Sequence, residues 1–503
     1  MTTTTRSPLP FAAAALVLAL AACRGGDRAE GEATRPIELL VPTDAETLDP
    51  RHATDAVALR TTRLLHAGLT RLDPETLEPR PYAARGWKWE DARTLLVELR
   101  EDLRFHSGAP LRPEDVAATI RAFQSPEVGS RHARVVEPIA DVVPAGPHAV
   151  RIVLRRAHAT LLTDLEVPIL RADEAASPPR PDGSLDGLGP FVVATREPGA
   201  IGLGPAPAGA TQVPARHVTI RTVHDENARA LRIHAGRADL VVNGFSPTLL
   251  PALASAPGVV VSARPGANLT YMVLRSDRPP LSDPRVRRAI AGAIDRARIA
   301  TTLLAGHAVA ASTLLPPGHW AHSEAPAPAF DPENARRLLA EAGVSGLRLT
   351  LVTSTDRLRG TIARQIAQDL GRAGVMLEVV PLELGTMIAR LGAGDFELAT
   401  LQLPELAEPN VLRVFLHSAS IPPAGANRGR VRDPELDALL DAGASEQDPA
   451  ARRVIYAAVE RVVRERALLV PLWHEDQIAV ASARARAFRP SAEGRWLDLA
   501  SLP

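Results

Sequence analysis

The sequence predicts an α/β or α+β protein built from two or three domains. Three observations predict it. Short apolar runs of strand length alternate with amphipathic stretches at helical spacing. The chain has 503 residues, and domains of about 150 residues make two or three of that length. Hydrophobic residues make up 46% and charged residues 23%, the balance of a globular chain able to bury its own cores. Basic and acidic residues number 58 each. A neutral chain carries no electrostatic footprint for nucleic acid. Every basic residue except Lys88 is arginine, and no arginine cluster follows a nucleic-acid motif.

The elements follow in order. Arg6 precedes the apolar run Phe11 to Ala22, which ends in Leu20-Ala21-Ala22-Cys23. A charged start, an apolar core and small residues before a cut form an export signal, 1–22. The run is shorter than the roughly 20 residues a membrane span needs. Leu-Ala-Ala-Cys looks like a bacterial lipobox, which would make Cys23 the lipidated residue. The plainer alternative is a signal peptide that happens to contain a cysteine. Residues 23–35 are polar and Gly-rich and read as a tether. Cys23 is the one cysteine, so the folded part has no disulfide and rests on core burial.

Residues 176–190 and 196–215 are rich in Pro, Gly and Ala and are expected to be loops. Ser282-Asp283-Pro284 opens a helix with Val286, Ile290 and Ile294 on one face. Asp331-Pro332-Glu333 opens another, with Ala335, Leu338, Leu339 and Ala342 as its apolar stripe and Gly343 as its stop. A third carries Ile362, Ile366 and Leu370 and ends at Gly374. The strand 376–381, a helix over 384–391 and the strand 396–401 follow. Asp433-Pro434-Glu435 and Asp448-Pro449 start two more helices. The second carries Val454, Val459, Val462 and Val463 and runs into the strand 468–473.

A series of short motifs runs through the chain. Thr47-Leu48-Asp49-Pro50 comes first, then Ala67-Gly68-Leu69-Thr70-Arg71-Leu72-Asp73, Leu77-Glu78-Pro79-Arg80-Pro81 and Ala84-Arg85-Gly86-Trp87. Leu99 to Gly108 and Leu111-Arg112-Pro113-Glu114-Asp115-Val116 follow, then Gly187-Leu188-Gly189-Pro190-Phe191 and Ala235 to Leu240. Asp283 to Ile290 and Ala293-Ile294-Asp295-Arg296 close the series. In order and spacing, from about residue 36 to about 475, this succession resembles the extracellular solute-binding protein family 5, the dipeptide, oligopeptide and nickel-binding group. By their chemistry most of these residues are scaffold. Gly68, Gly86, Gly108 and Gly189 stand where strands are expected to turn with φ > 0, and Glu114 and Asp115 fall at a helix N-terminus.

The resemblance implies an α/β, two-lobed periplasmic-binding-protein fold, type II-like, with an extra inserted α+β domain and a central ligand cleft. Lobe I would combine 36–65, 185–262 and 470–503. The inserted domain would cover 66–184 and lobe II 263–469. Lobes joined by crossing strands can close on a ligand. The implied function is the extracytoplasmic substrate-binding component of an ABC importer. It would capture a peptide-like solute and pass it to the permease, working as a monomer tethered by its lipid in the periplasm or at the cell surface. No cofactor is implied.

In peptide-binding members an acidic loop residue meets the ligand ammonium. The matching stretch is Gln402 to Asn410, with Glu405 at the aspartate's place and Glu408-Pro409 after it. The tryptophan and glycines usual in that loop are absent, and both glutamates are otherwise ordinary surface charges. Arg357, after the strand 347–353, could meet a carboxylate. Asn268 and Tyr271 lie in the strand that enters lobe II, and Trp473 and His474 near the return crossing. All four are cleft candidates on the family's pattern, against a core role.

Other classes have less in the residues. No Gly-x-Ser-x-Gly, His-Glu-x-x-His or Walker loop is present, so an enzyme is not expected. A metal or nickel-chelate binder is the alternative the family offers, but only His319 and His322 stand close together, in a Pro-rich loop. A lipoprotein that senses a partner on the same fold is the third reading.

Overall fold

The strand Val470–Ser482 organises the molecule. Its first half pairs antiparallel with Leu269–Leu274, and its second half with Leu240–Val242 and Val259–Pro265. One strand therefore belongs to two sheets and joins them into a continuous twelve-stranded surface. The structure, a computed structural model, describes residues 35–326 and 328–503. The export segment, Cys23 and the tether up to residue 34 lie outside the described residues.

On one side of the crossing the sheet runs through Leu240–Val242, Ile37–Val41, Val218–Thr222, Ala200–Pro205 and Phe191–Glu197. Ile37–Val41 pairs in parallel with both neighbours and is apolar almost throughout, as a strand buried on both faces should be. The segment 483–503 packs back here, placing Phe488, Trp496, Leu499 and Leu502 in the same core. On the other side the order is Leu269–Leu274, Leu398–Leu403, Arg348–Ser354 and Met376–Leu382. Helices Pro284–Gly292, Pro332–Glu341 and Arg357–Arg372 pack on one face, and Pro434–Ser445 and Pro449–Arg466 on the other. A separate antiparallel sheet of Ala84–Asp91, Thr94–Leu99, Ala149–Leu154 and Ile139–Pro144 carries helix Pro113–Gln124 around its own core.

The expected helix starts are built as the sequence spells them. Asp283, Asp331, Asp433 and Asp448 accept hydrogen bonds from first-turn amides, each followed by proline. Three local expectations are corrected. Residues 196–215 are not all loop: Phe191–Glu197 and Ala200–Pro205 form an antiparallel hairpin about Pro198-Gly199. Gly202 permits it, since a Cβ there would lie 2.3 Å from Thr195 Oγ1. Val454 is 71% exposed, because the buried face of its helix is drawn through Tyr456, Val459, Val462 and Val463 instead. Of the four motif glycines, only Gly108 has a positive φ, +88°. Gly68 and Gly189 answer a different need. A Cβ on Gly189 would sit 2.5 Å from the Leu64 carbonyl, and one on Gly68 2.6 Å from that of Glu166. Gly189 thus lets its own segment lie against the end of helix Ala56–Leu65, and Gly68 lets the chain just past that helix lie against Glu166.

Candidate functional site

The crossing between the lobes is a two-stranded ribbon, and its polar groups bond one another. Asn268 is buried, and its amide brackets one peptide unit of the partner strand. Nδ2 donates to the Glu475 carbonyl at 2.7 Å, and Oδ1 accepts from the Glu475 amide at 2.8 Å. His474 donates Nδ1–H to the Asn268 carbonyl at 2.6 Å. Burial brings the His474 pKa down to about 4, so it stays neutral. Trp473 is fully buried and donates Nε1–H to Glu475 Oε1 at 3.1 Å.

The Glu475 carboxylate gathers this network. Thr270 Oγ1 donates to it at 3.0 Å, and Arg359 donates to both oxygens, at 2.7 and 3.2 Å. Burial works to raise the Glu475 carboxyl, but the Arg359 guanidinium overrides it and holds it below its ordinary range. The structure thus brings Asn268, Trp473 and His474 together, in the crossing rather than on an open ligand wall. Tyr271 is elsewhere. It lies in the lobe II core, edge-on to Phe415 at 6.4 Å between ring centroids. Arg357 is the first residue of its helix and is exposed. Two residues on, Arg359 is the arginine that reaches the crossing, a contact that sequence reasoning missed. The Asp356 N-cap was the available signal, since it fixes which side of the first turn faces the sheet.

The two loop glutamates separate. Glu408 is held in an ion pair with Arg452, itself stacked over Trp320 and Tyr456, and accepts from Thr163 Oγ1 of the inserted segment at 3.3 Å. Burial raises its carboxyl in spite of that arginine. Glu405 is exposed and makes no hydrogen bond through its side chain among the described residues. Its charge acts on four guanidiniums across the cleft: Arg60 and Arg63 of helix Ala56–Leu65, Arg131 and Arg495.

These four differ in what already holds them. Arg495 is held by both oxygens of Glu166, with Nη2 at 2.8 Å, and lies 3.4 Å from Glu493. Arg60 lies over the Trp496 ring at 5.7 Å. Arg131 donates to the Ala53 carbonyl. Among the described residues no carboxylate pairs with Arg60, Arg63 or Arg131. Arg63 and Arg131 line a cavity of about 180 Å³ between helix Ala56–Leu65 and the inserted segment, together with His66, Thr163 and Asp164. Sequence reasoning passed over these residues. Arg60 and Arg63, three apart on a helix otherwise buried through Val57, Ala58, Leu64 and Leu65, were the signal. His319 and His322 are engaged locally, His319 Nδ1 by the Ala321 amide and His322 Nδ1 by the Leu315 carbonyl. Among the described residues no three His, Cys, Asp or Glu side chains gather to hold a metal ion, and no helix is long and apolar enough to cross a membrane.

Two sheets with separate cores, joined through one shared strand, make a two-lobed α/β fold. Residues 78–406 match the bacterial extracellular solute-binding proteins, family 5, in their middle region, and the chain belongs to that family. It is 26% identical over 449 residues to the probable di/tripeptide-binding protein 5 of Pseudomonas aeruginosa (strain UCBPP-PA14), covering 82% of this chain and 85% of that one. It is 24% identical over 475 residues to the glutathione-binding protein GsiB of Escherichia coli (strain K12), covering 91% and 92%. Among solved structures, the ABC transporter substrate-binding protein CtaP from Listeria monocytogenes superposes with a TM-score of 0.83 at 20% identity, over 93% of this chain and 98% of that one.

Proposed function

We propose that this chain is the substrate-binding component of an ABC importer and closes its lobes on a short peptide-like solute. The observation that carries the reading is a set of opposite charges without internal partners. Among the described residues Glu405, on one wall, is exposed and makes no side-chain hydrogen bond, and Arg60, Arg63 and Arg131, on the other, have no carboxylate partner. A zwitterion satisfies both walls at once, its ammonium at Glu405 and its carboxylate toward the arginines. Contacts to both walls favour the closed form by the difference in affinity between closed and open states. The relatives that bind di- and tripeptides or glutathione support this ligand class. On this reading lobe I is 36–65, 185–262 and 470–503, the inserted domain 66–184 and lobe II 263–469. Cys23 carries the lipid that holds the protein at a bacterial membrane, within reach of its permease.

A melting scan of the full chain in detergent tests the reading. Pooled di- and tripeptides and glutathione form one set, and nickel, zinc and sugars the other. A ligand at about 100 times its dissociation constant adds about 2.7 kcal/mol, a clear upward shift in Tm. The peptide set is expected to give that shift, and Glu405→Gln to shrink it. A shift with metal or sugar alone would overturn the ligand class. For the anchor, Cys23→Ser is expected to move the protein from the detergent phase to the aqueous phase.

A further inference from the structure

The cavity between helix Ala56–Leu65 and the inserted segment is lined by arginines that no carboxylate holds among the described residues. Several arginines buried elsewhere are anchored by the protein itself. Arg229, Arg287 and Arg296 donate to clusters of backbone carbonyls, and Arg51, Arg452 and Arg495 meet carboxylates. Arg63 is partly buried on the cavity wall and has neither kind of partner among the described residues. A guanidinium does not lose its proton at any ordinary pH, so Arg63 keeps a full positive charge that no internal carboxylate takes up among the described residues and that an incoming anion can meet.

His66, at the end of the same helix, gives a second and independent observation. It is 3% exposed and lines the same cavity, and both its ring nitrogens lack a hydrogen-bond partner. An unmade hydrogen bond at a buried polar atom is costly and rare in native interiors. Burial brings the His66 pKa down to about 3, so the ring is neutral and offers one N–H donor and one acceptor. Arg131 supplies a further cation at the mouth. The two acids of the wall are already occupied, Glu166 by Arg495 and Asp164 by His158 at 2.7 Å.

We propose that this cavity is a subsite for an acidic side chain of the ligand, with Arg63 and Arg131 meeting its carboxylate and His66 donating to it, so that the solute is an acidic short peptide. The inference rests on the peptide reading and refines it. Size agrees. A cavity of about 150 Å³ accepts a benzene-sized group, so about 180 Å³ suits one aspartyl or glutamyl side chain and not a whole dipeptide. Charge agrees as well. Once a ligand ammonium has neutralised Glu405, the cation excess opposite calls for more negative charge than one α-carboxylate brings.

Titration calorimetry on the full chain in detergent compares Glu-Ala with Gln-Ala and Ala-Glu with Ala-Gln, and adds free glutarate. In at least one pair the acid is expected to bind about tenfold or more tightly than its amide, about 1.4 kcal/mol. Arg63→Met should bring that ratio to near one, the acid losing about tenfold more affinity than its amide. Arg131→Met and His66→Phe are read in the same way, should Arg63→Met fold poorly. Equal binding of acid and amide in both pairs would overturn the proposal, as would a preference that survives all three variants. If no peptide binds but glutarate does, and Arg63→Met abolishes it, the anion subsite stands and the peptide reading fails. If neither peptide nor glutarate binds, both fail.

Discussion

The crossing ribbon and the arginine cavity are both polar, both largely withdrawn from water, and opposite in how their polar atoms are partnered. In the ribbon each side chain finds its partner within the protein: Asn268 with the Glu475 backbone, His474 with the Asn268 carbonyl, and Trp473, Thr270 and Arg359 with the Glu475 carboxylate. In the cavity wall Arg63 and both nitrogens of His66 have none among the described residues. A saturated network fixes geometry, and an unsaturated one stores capacity for something that comes from outside. The residue types alone do not tell the two apart. Asn, His, Trp and Arg serve either purpose, and only the count of partners separates them.

If the ribbon is structural, breaking it should cost the most. Asn268→Leu removes both bonds to the Glu475 peptide unit in a buried position, and a loss of about 4 kcal/mol is expected by urea unfolding. A loss under about 1 kcal/mol would mean the bracket is ornamental.

Next in size is a pH effect. His474 is held near pKa 4 by burial, while in the unfolded chain it titrates near 6.5. Between those values the unfolded state binds more protons, so stability is full above about pH 6.5 and falls with pH toward about 4, by about 3 kcal/mol. His474→Asn keeps a donor toward the Asn268 carbonyl and cannot titrate. The difference in unfolding free energy between wild type and variant should therefore change with pH across that window. Buried carboxyls such as Glu408 and Glu493, raised by burial, pull the other way in both proteins and cancel in the comparison.

Gly189→Ala comes third. It presses a methyl against the Leu64–Leu65 backbone that carries Arg63 and His66, and should cost about 2 kcal/mol in a thermal melt while weakening ligand binding more than Asn268→Leu does. The smallest effect sharpens the contrast. Arg63→Met breaks no internal bond, so stability without ligand should change by less than about 1 kcal/mol or rise. A large loss there would show that the polar groups of the cavity wall are as fully engaged within the protein as those of the ribbon.

Much of the fold was legible. The two-lobed α/β class followed from the motif order, and the Asp-Pro helix starts followed from capping chemistry. The hairpin at 191–205 was hidden because glycines that make room for a partner strand have the same composition as glycines that loosen a loop. Val454 was misjudged because a valine on a helix does not announce its phase, and Tyr456 and Val459 set the buried face. The site was less legible. Arg357 and Arg359 differ by two positions and point to different places once Asp356 caps the helix. Asn268, Trp473 and His474 lie together in the crossing, which absorbs their polar atoms. The arginines of helix Ala56–Leu65 looked like ordinary members of an arginine-rich chain, and their lack of partners exists only in three dimensions.

The strand Val470–Ser482 has a consequence for the order of events during synthesis. Both sheets need it, and the lobe I core also needs Phe488, Trp496 and Leu499. Neither lobe can complete its sheet while residues 470–482 are still to be made, although most of each is already synthesised. A nascent chain held in that unfinished condition keeps its long-range pairings for last. Such a chain stays pliable until its last long strand is made, and it locks only when that strand arrives.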